Sequence, residues 1–443
     1  MRLRLHLSLI LAIIFGGGAC YHYFGLLVPL SRRLDTANNI GTRYRWGGDL
    51  YPIWLTGRDL LWHRTNPYTR EMTQRIQIGL YGRTMNPTRP FDQPEDYRAF
   101  SYPLYTDLLA APLLPFNFEV VRLVMAVLLV PLTAASLIFW LRFLGVDAQP
   151  IVLATIIVLT LTSYPVLEGM YLQQAALWAG AALALSMAAL VRGRLAIAGM
   201  ALALASVKPQ MVWLIALFLG CWSLADWKHR KNLALSFLFT SAILFLACEI
   251  ILPGWLAGWI RTVAGYSAYT LPPLPRLVLG KFLGPVLTIA VLGLAGAMAW
   301  KTRRSEASSD SFLLSVCFIL SATEMLLPSG GAVYDQVVML PGILWLWLRR
   351  EQISRGSPPL RVMGLVTLVA LGWQWIMASG VAVMSLISSA TAQNFMVLVF
   401  PTRMAASLPF VVIVLLAFFA VHWLRKPLND SEIKIAAAVL PEA

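Results

Sequence analysis

Charge is what this 443-residue sequence has least of. Only 13% of its residues are charged and 58% are hydrophobic. Ordinary globular domains carry about 25% charged residues, so most of this surface is expected to face lipid, and no soluble domain of any size is read. Acidic residues are the scarcer sign, 21 against 35 basic, for a net charge of +14. In a membrane chain such an excess sets topology and touches anionic headgroups, so nucleic acid is not an expected partner. Cysteine is sparse: Cys20, Cys221, Cys248 and Cys317 lie in or beside apolar runs and form no CxxC, which argues against a zinc site or a disulfide framework. The five histidines are scattered, without metal-ligand spacing. A P-loop, a Gly-rich dinucleotide motif and HExxH are missing, which argues against cytosolic ATP hydrolysis and zinc proteolysis. No metal and no cofactor is expected.

Long apolar runs are present throughout. The expected fold is all-α, a polytopic integral membrane protein of about twelve transmembrane helices, spaced as membrane-spanning runs are. The segments are 7–30, 118–141, 150–166, 171–191, 195–206, 210–225, 233–252, 277–300, 311–327, 333–348, 361–387 and 405–424. The N-terminal run continues past the length of a signal-peptide core, so it reads as an uncleaved first helix over 1–30. An extracytoplasmic loop follows over 31–101, then a polytopic domain over 102–427 and a cytoplasmic tail over 428–443.

Short-loop charge orients the chain. Arg142, Arg192, Arg194, Lys228, Arg230, Lys231, Lys301, Arg303, Arg304, Arg349, Arg350, Arg355, Arg361, Arg425 and Lys426 fall on one side, and the opposite short loops hold almost no Lys or Arg. Both termini are therefore expected inside the plasma membrane. The 31–101 loop holds eleven arginines and no lysine; long loops translocate regardless of charge. Helices are expected over Tyr51–His63 and Thr69–Tyr81, juxtamembrane on the outer face, with an irregular stretch over 82–101. In a second outer loop, 253–276, Trp255, Trp259, Tyr266 and Tyr269 are expected at interface depth.

Charged residues in such a chain are candidates by their rarity. Asp49, in Trp46-Gly47-Gly48-Asp49-Leu50-Tyr51, either caps the helix that follows or serves as a general base near the membrane surface. Lys208 sits between two short apolar stretches. The first, 195–206, reaches about 18 Å as a helix against a core of about 30 Å, so the Lys208 turn is expected at membrane depth. A lysine there either snorkels or holds an anion such as phosphate. Asp335 either caps a helix or faces a polar site, and Glu324 is more embedded. Glu168 and Gln173-Gln174 mark another turn. Asp49, Lys208, Glu168, Asp335, Arg261 and Arg276 all fall on the outer side and outline one polar cavity.

The ordered set Gly47-Gly48-Asp49-Leu50-Tyr51, Asn66-Pro67-Tyr68, Phe100-Ser101-Tyr102-Pro103-Leu104, Ala111-Pro112-Leu113, Val207-Lys208-Pro209-Gln210 and Pro328 leading into Tyr334-Asp335-Gln336 resembles glycosyltransferase family 87 of the GT-C superfamily, over roughly residues 10–350. That family includes polyprenyl-phosphate-mannose-dependent mannosyltransferases. The resemblance implies an outward-facing, inverting and usually metal-independent transfer from a polyprenyl-phosphate sugar donor to a lipid or glycan acceptor. It implies Asp49 as catalytic base and Lys208 as donor-phosphate ligand, helped by Arg58 and Arg261. Tyr51, Glu168, Gln173, Gln210, Tyr334, Asp335 and Gln336 are placed in the substrate cavity, with membrane lipids as further partners. Family members often carry a histidine near the proline turn, where this chain has Gln336. A transporter or flippase of lipid-linked sugar is the competing expectation, disfavoured because no second broken segment answers the one at Lys208-Pro209.

Overall fold

The structure, a computed structural model, describes residues 2–38, 46–86, 88–89, 92, 97–265, 268, 270–327 and 332–425. The expected proline turn at 328–331, Tyr266, Tyr269 and the tail over 428–443 lie outside the described residues. So does most of the stretch from Pro87 to Asp96.

Among the described residues every regular element is helical. In chain order these are α1 (Arg2–Cys20), a π-helical stretch (Tyr21–Leu27), α2 (Val28–Ala37), α3 (Leu50–His63), α4 (Arg70–Tyr81), α5 (Tyr105–Leu109), α6 (Phe118–Phe143), α7 (Pro150–Leu161), α8 (Tyr164–Leu172), α9 (Ala175–Val191), α10 (Leu195–Ala205) and α11 (Pro209–Ala225). There follow α12 (Trp227–Ile251), α13 (Trp255–Gly265), α14 (Leu274–Thr302), α15 (Asp310–Leu326), a 3₁₀ stretch (Val333–Met339), α16 (Leu340–Leu348), α17 (Arg350–Arg355), α18 (Pro358–Ile387), α19 (Ser389–Gln393), α20 (Phe395–Arg403) and α21 (Leu408–Arg425). Lipid offers the backbone no hydrogen bonds, so apolar segments satisfy their own N–H and C=O groups as helices. Polar side chains set several starts. Thr69 accepts from Met72 N (3.2 Å) to open α4, and Asn117 accepts from Val120 N (3.0 Å) to open α6.

The chain is a multi-pass membrane protein. Six helical runs among the described residues are long and apolar enough to cross a bilayer: Leu5–Ala37, Phe118–Phe143, Trp227–Ile251, Leu274–Thr302, Pro358–Ile387 and Phe395–Arg425. A seventh crossing results if α7 and α8, bent by 60°, form one broken span. Each of the twelve expected segments corresponds to a helix, but α9, α10, α11 and the run Val333–Leu348 are shorter apolar pieces. The count of twelve is thus not confirmed, because hydropathy registers composition and not whether one helix has the length to cross. The first helical run also continues beyond residue 30, through Ala37.

The largest core joins α6, α9, α10, α11, α15, α16 and α21 around Leu137, Trp140, Leu183, Leu202, Ile215, Phe312, Phe318 and Leu416. α10 packs between α9 and α12, and α6 against α9. α3, which packs on both α4 and α5, and α4 keep close to the boundaries expected from sequence and enclose Ile53, Met72, Ile76 and Phe100. Trp255 is buried against Tyr105, Phe245 and Trp259. Trp259 Nε1 donates to Ser101 O at 2.9 Å. α14 is interrupted at Gly280 (φ +73°), a conformation that favours glycine.

Candidate active site

A tight turn carries Asp49 into α3. Gly47 has φ +75°, and a side chain there would meet Gln173 Oε1 at 2.8 Å, so glycine is required by backbone and by space. Its N–H donates to Tyr171 O (2.8 Å), and Asp49 N–H donates to Leu172 O (3.0 Å). The turn is thus laced to the end of α8. Asp49 occupies the N-cap position of α3 without its side chain capping the helix. The carboxylate, 5% exposed, points elsewhere. Arg98 Nη1 donates to its Oδ1 at 2.6 Å and Gln174 Nε2 to its Oδ2 at 2.8 Å. A carboxylate has about four acceptor sites, so each oxygen keeps a free lone pair for a further hydroxyl.

The groups that hold Asp49 are themselves held. Arg98 Nε donates to Tyr81 Oη (3.1 Å), and Tyr102 Oη donates to Gln174 Oε1 (2.9 Å). Desolvation opposes the Arg98 charge, but Tyr81 and Asp49 outweigh it and hold Arg98 above its ordinary value. Arg98 (φ +54°) and Gln173 (φ +56°) are two of three non-glycine residues with left-handed backbone among those described. Such conformations cost about 1–3 kcal/mol each and persist where surrounding structure over-determines them.

Lys208 lies between α10 and α11, with Pro209 as the first residue of α11. It does not snorkel: it is 4% exposed, its Nζ pairs with Asp335 Oδ1, and it stands 4.7 Å from the centre of the Tyr334 ring. Asp335, 1% exposed, sits in the 3₁₀ stretch and gives its carboxylate to Lys208. A buried ion pair is on balance a weak source of stability, because desolvation offsets most of the attraction. Packing therefore does not account for this pair. Tyr105 Oη, bonded to Ser206 O at 2.7 Å, braces the same turn.

The two centres are electrostatic neighbours. The Asp49 charge acts on Asp335 and Glu168, and Tyr334 acts on Arg98. Glu168 bonds to Tyr164, while its Oε2 is buried with no hydrogen-bond partner among the described residues. Tyr51 lies against Gly79 and Phe118, and Gln210 is half-buried in the first turn of α11. Gln336 Nε2 donates to Ala405 O at 2.7 Å. Arg58 stacks over Trp54 and Trp62, at 5.1 and 6.0 Å. Arg261 is exposed and donates to Ala257 O on its own helix (3.2 Å). Of the glutamine pair, Gln174 holds Asp49, while Gln173 Nε2 donates to Arg122 O. Sequence reasoning missed Arg98, Tyr81, Tyr102 and the role of Gln174. The Phe100–Leu104 motif, beside Arg98, was the available signal.

Among known families, the model of Glycosyltransferase family 87 matches residues 100–330. No curated protein and no solved structure matches the chain. The matched stretch includes Tyr102, Glu168, Gln174, Lys208 and Glu324; Arg98 and Asp335 lie just outside it, and Asp49 lies well before its start.

Proposed function

This chain belongs to glycosyltransferase family 87, and on that premise we propose that it moves a sugar from a polyprenyl-phosphate donor to a hydroxyl of a lipid or glycan acceptor. The observation that carries the reading is a buried carboxylate, Asp49, whose charge reaches Asp335, the ion-pair partner of the buried Lys208. A transfer of this kind needs a base at the acceptor and a cation at the leaving phosphate.

In the proposed reaction, Asp49 takes the acceptor hydroxyl proton on the free lone pair of one carboxylate oxygen. The acceptor oxygen attacks the anomeric carbon. The bond from that carbon to the phosphate oxygen breaks, and the electron pair leaves on the lipid phosphate monoester. Displacement from the opposite face inverts the anomeric centre. Lys208 stabilises the charge that grows on the phosphate. Arg98 and Gln174 keep Asp49 pointed at the acceptor. Arg58 and Arg261 are proposed as helper cations that reach the phosphate by leaving Trp54 and the Ala257 carbonyl. Glu168, Tyr51, Gln173, Gln210, Tyr334, Asp335 and Gln336 line the substrate region. The short-loop charge asymmetry supports an active site on the outer face of the plasma membrane with both termini inside.

The test is sugar transfer in proteoliposomes from radiolabelled polyprenyl-phosphate mannose to extracted membrane lipids, using wild type, Asp49→Asn and Lys208→Ala. Transfer by wild type that both substitutions abolish supports the reading. Undiminished transfer by both variants rejects the assigned roles. Movement of labelled donor across the bilayer without transfer would favour a transporter.

A further inference from the structure

One ammonium group serves two buried carboxyl groups where α15 meets the 3₁₀ stretch. Lys208 pairs with Asp335; α15 packs on the 3₁₀ stretch that carries Asp335, and Glu324, in the last turn of α15, feels the charges of both. Glu324 is 6% exposed, and its Oε2 is buried without a hydrogen-bond partner among the described residues. Two carboxylates beside one cation cannot both carry full charge away from water at tolerable cost, so such groups titrate as a unit. Asp335 also occupies the cation that an incoming phosphate would need.

The surroundings offer little other relief. The charged groups that act on the pair are Lys208 and Asp49; Tyr334 lies against Lys208, and Arg98 and Glu168 are neighbours of Asp49 rather than of the pair. α10 and α11 contain no charged residue. Arg276 and Lys281 of α14 and Arg403 of α20 are exposed. Arg349, Lys301 and His422 belong to the opposite end, where Arg349 pairs with Asp310 at the start of α15. That start is about 20 Å from Glu324 along the helix axis.

We propose that Glu324 and Asp335 form a counter-ion pair that yields Lys208 to the donor phosphate and takes up one proton as it does so. The inference rests on the assignment of Lys208 to the donor phosphate. Before the donor binds, Asp335 neutralises Lys208, and Glu324 holds a proton. When the phosphate anion displaces Asp335 from Lys208, a solvent proton adds to the Asp335 carboxylate. The site then gains one negative charge and one proton together, and its net charge is unchanged. When Asp335 is replaced, Glu324 becomes the ionised partner of Lys208 and the acceptor in its place, because the same lysine acts on both carboxyls.

Calorimetric titration of the nanodisc-embedded protein with polyprenyl-phosphate mannose, in buffers of different protonation enthalpy between pH 6 and 8, counts the protons. The probe is a phosphodiester and carries one fixed charge across this range. Wild type is expected to take up close to one proton, and its affinity to fall about tenfold per pH unit of increase. Glu324→Gln and Asp335→Asn, each keeping one carboxyl, retain the uptake. The Glu324→Gln/Asp335→Asn double variant binds with no uptake and a flat pH profile. A pair that only shaped the fold would alter affinity without altering the proton count. Zero uptake by wild type overturns the proposal, and so does uptake near one in the double variant. Should the double variant fail to fold, the wild-type count and the two single variants still decide. Lys208→Met separates the levels. Unchanged binding in that variant removes the phosphate assignment and the inference with it, whereas binding lost there but without wild-type proton uptake removes the inference alone.

Discussion

The two ends of the helical bundle treat charge differently. At the end formed by the Asp49 turn, the end of α8 and the Lys208 turn, buried charged groups leave polar atoms over: Glu168 Oε2, Gln173 Oε1 and Glu324 Oε2 lack hydrogen-bond partners among the described residues. At the other end the cations are consumed by backbone. Arg230 donates to the carbonyls of Trp222, Arg303, Arg304 and Ser305. Lys301 donates to those of Trp423 and Leu424. These are carbonyls near helix C-termini, which lack intrahelical partners and attract cations. Ser223 Oγ and Trp345 Nε1 are also unpaired at this end among the described residues, but its cations find partners within the protein, whereas the first end leaves carboxylate oxygens over. Unpaired buried polar atoms cost about 1–3 kcal/mol each, so the carboxylate oxygens left over at the first end point to a ligand there.

Substitutions should separate the two ends. Asp49→Asn keeps the shape and removes the base. Its kcat is expected to fall by about 10²–10⁴ with donor KM nearly unchanged and a loss of thermal stability smaller than at the other end, because Arg98 is partly exposed and keeps Tyr81, as read by transfer assays and unfolding in detergent. Arg349→Met should do the reverse. It takes from Asp310, whose side chain is 8% exposed, its Arg349 counter-charge, and is expected to cost up to about 3–5 kcal/mol of stability while the surviving protein keeps its KM. Arg349→Met/Asp310→Leu, which removes both charges, should recover most of that loss. A fall in transfer for Arg349→Met beyond its loss of folded protein would dissolve the distinction between the ends. Gly47→Ala is a smaller intrusion. Left-handed backbone costs an alanine about 1–2 kcal/mol, and the added methyl presses on Gln173 Oε1. Transfer should drop about tenfold through displacement of the Asp49 turn, the equivalent of about 1.4 kcal/mol.

How far sequence alone carried the site depended on the range of each contact. Lys208 was legible because a cation in an apolar run is conspicuous, and Asp49 because a Gly-Gly turn leads into an amphipathic helix. The helices at 50–63 and 70–81 were legible from period and caps. Arg98 was not: it is one of eleven arginines in a loop without periodicity, and its partner is 49 residues away. Gln173 and Gln174 are indistinguishable as letters. The left-handed backbone at Gln173 ends α8, and the two side chains then reach different partners, Arg122 O and Asp49. The pairing of Lys208 with Asp335 spans 127 residues, and periodicity does not encode such contacts.

The loop between α4 and α5 offers the mildest test, because its clamp lies outside the site. Arg83 grips Asp92 with two hydrogen bonds, 2.8 and 2.6 Å, and Asn86 N–H adds a third at 2.8 Å. The bonds from Arg83, then that from Asn86, hold the Asp92 carboxyl below its ordinary value against desolvation, which works the other way. A carboxyl lowered by folding stabilises the folded form above its unfolded value, about 3.9, and that contribution fades as pH falls through the lower folded value. The clamp is therefore expected to be fully closed at neutral pH and to loosen only below about pH 4. Limited proteolysis of the loop should show protection that is constant from pH 8 to 5 in wild type. Asp92→Asn should lose most of that protection at every pH, because one oxygen and the charge are gone, while transfer stays within about twofold of wild type, as for a surface substitution away from the site. A matching loss of transfer would mean that the order of this loop is transmitted through Gln77, which donates to Tyr97 O beside Arg98 and accepts from Met85 N, and the boundary of the first end would then have to be drawn around α4 as well.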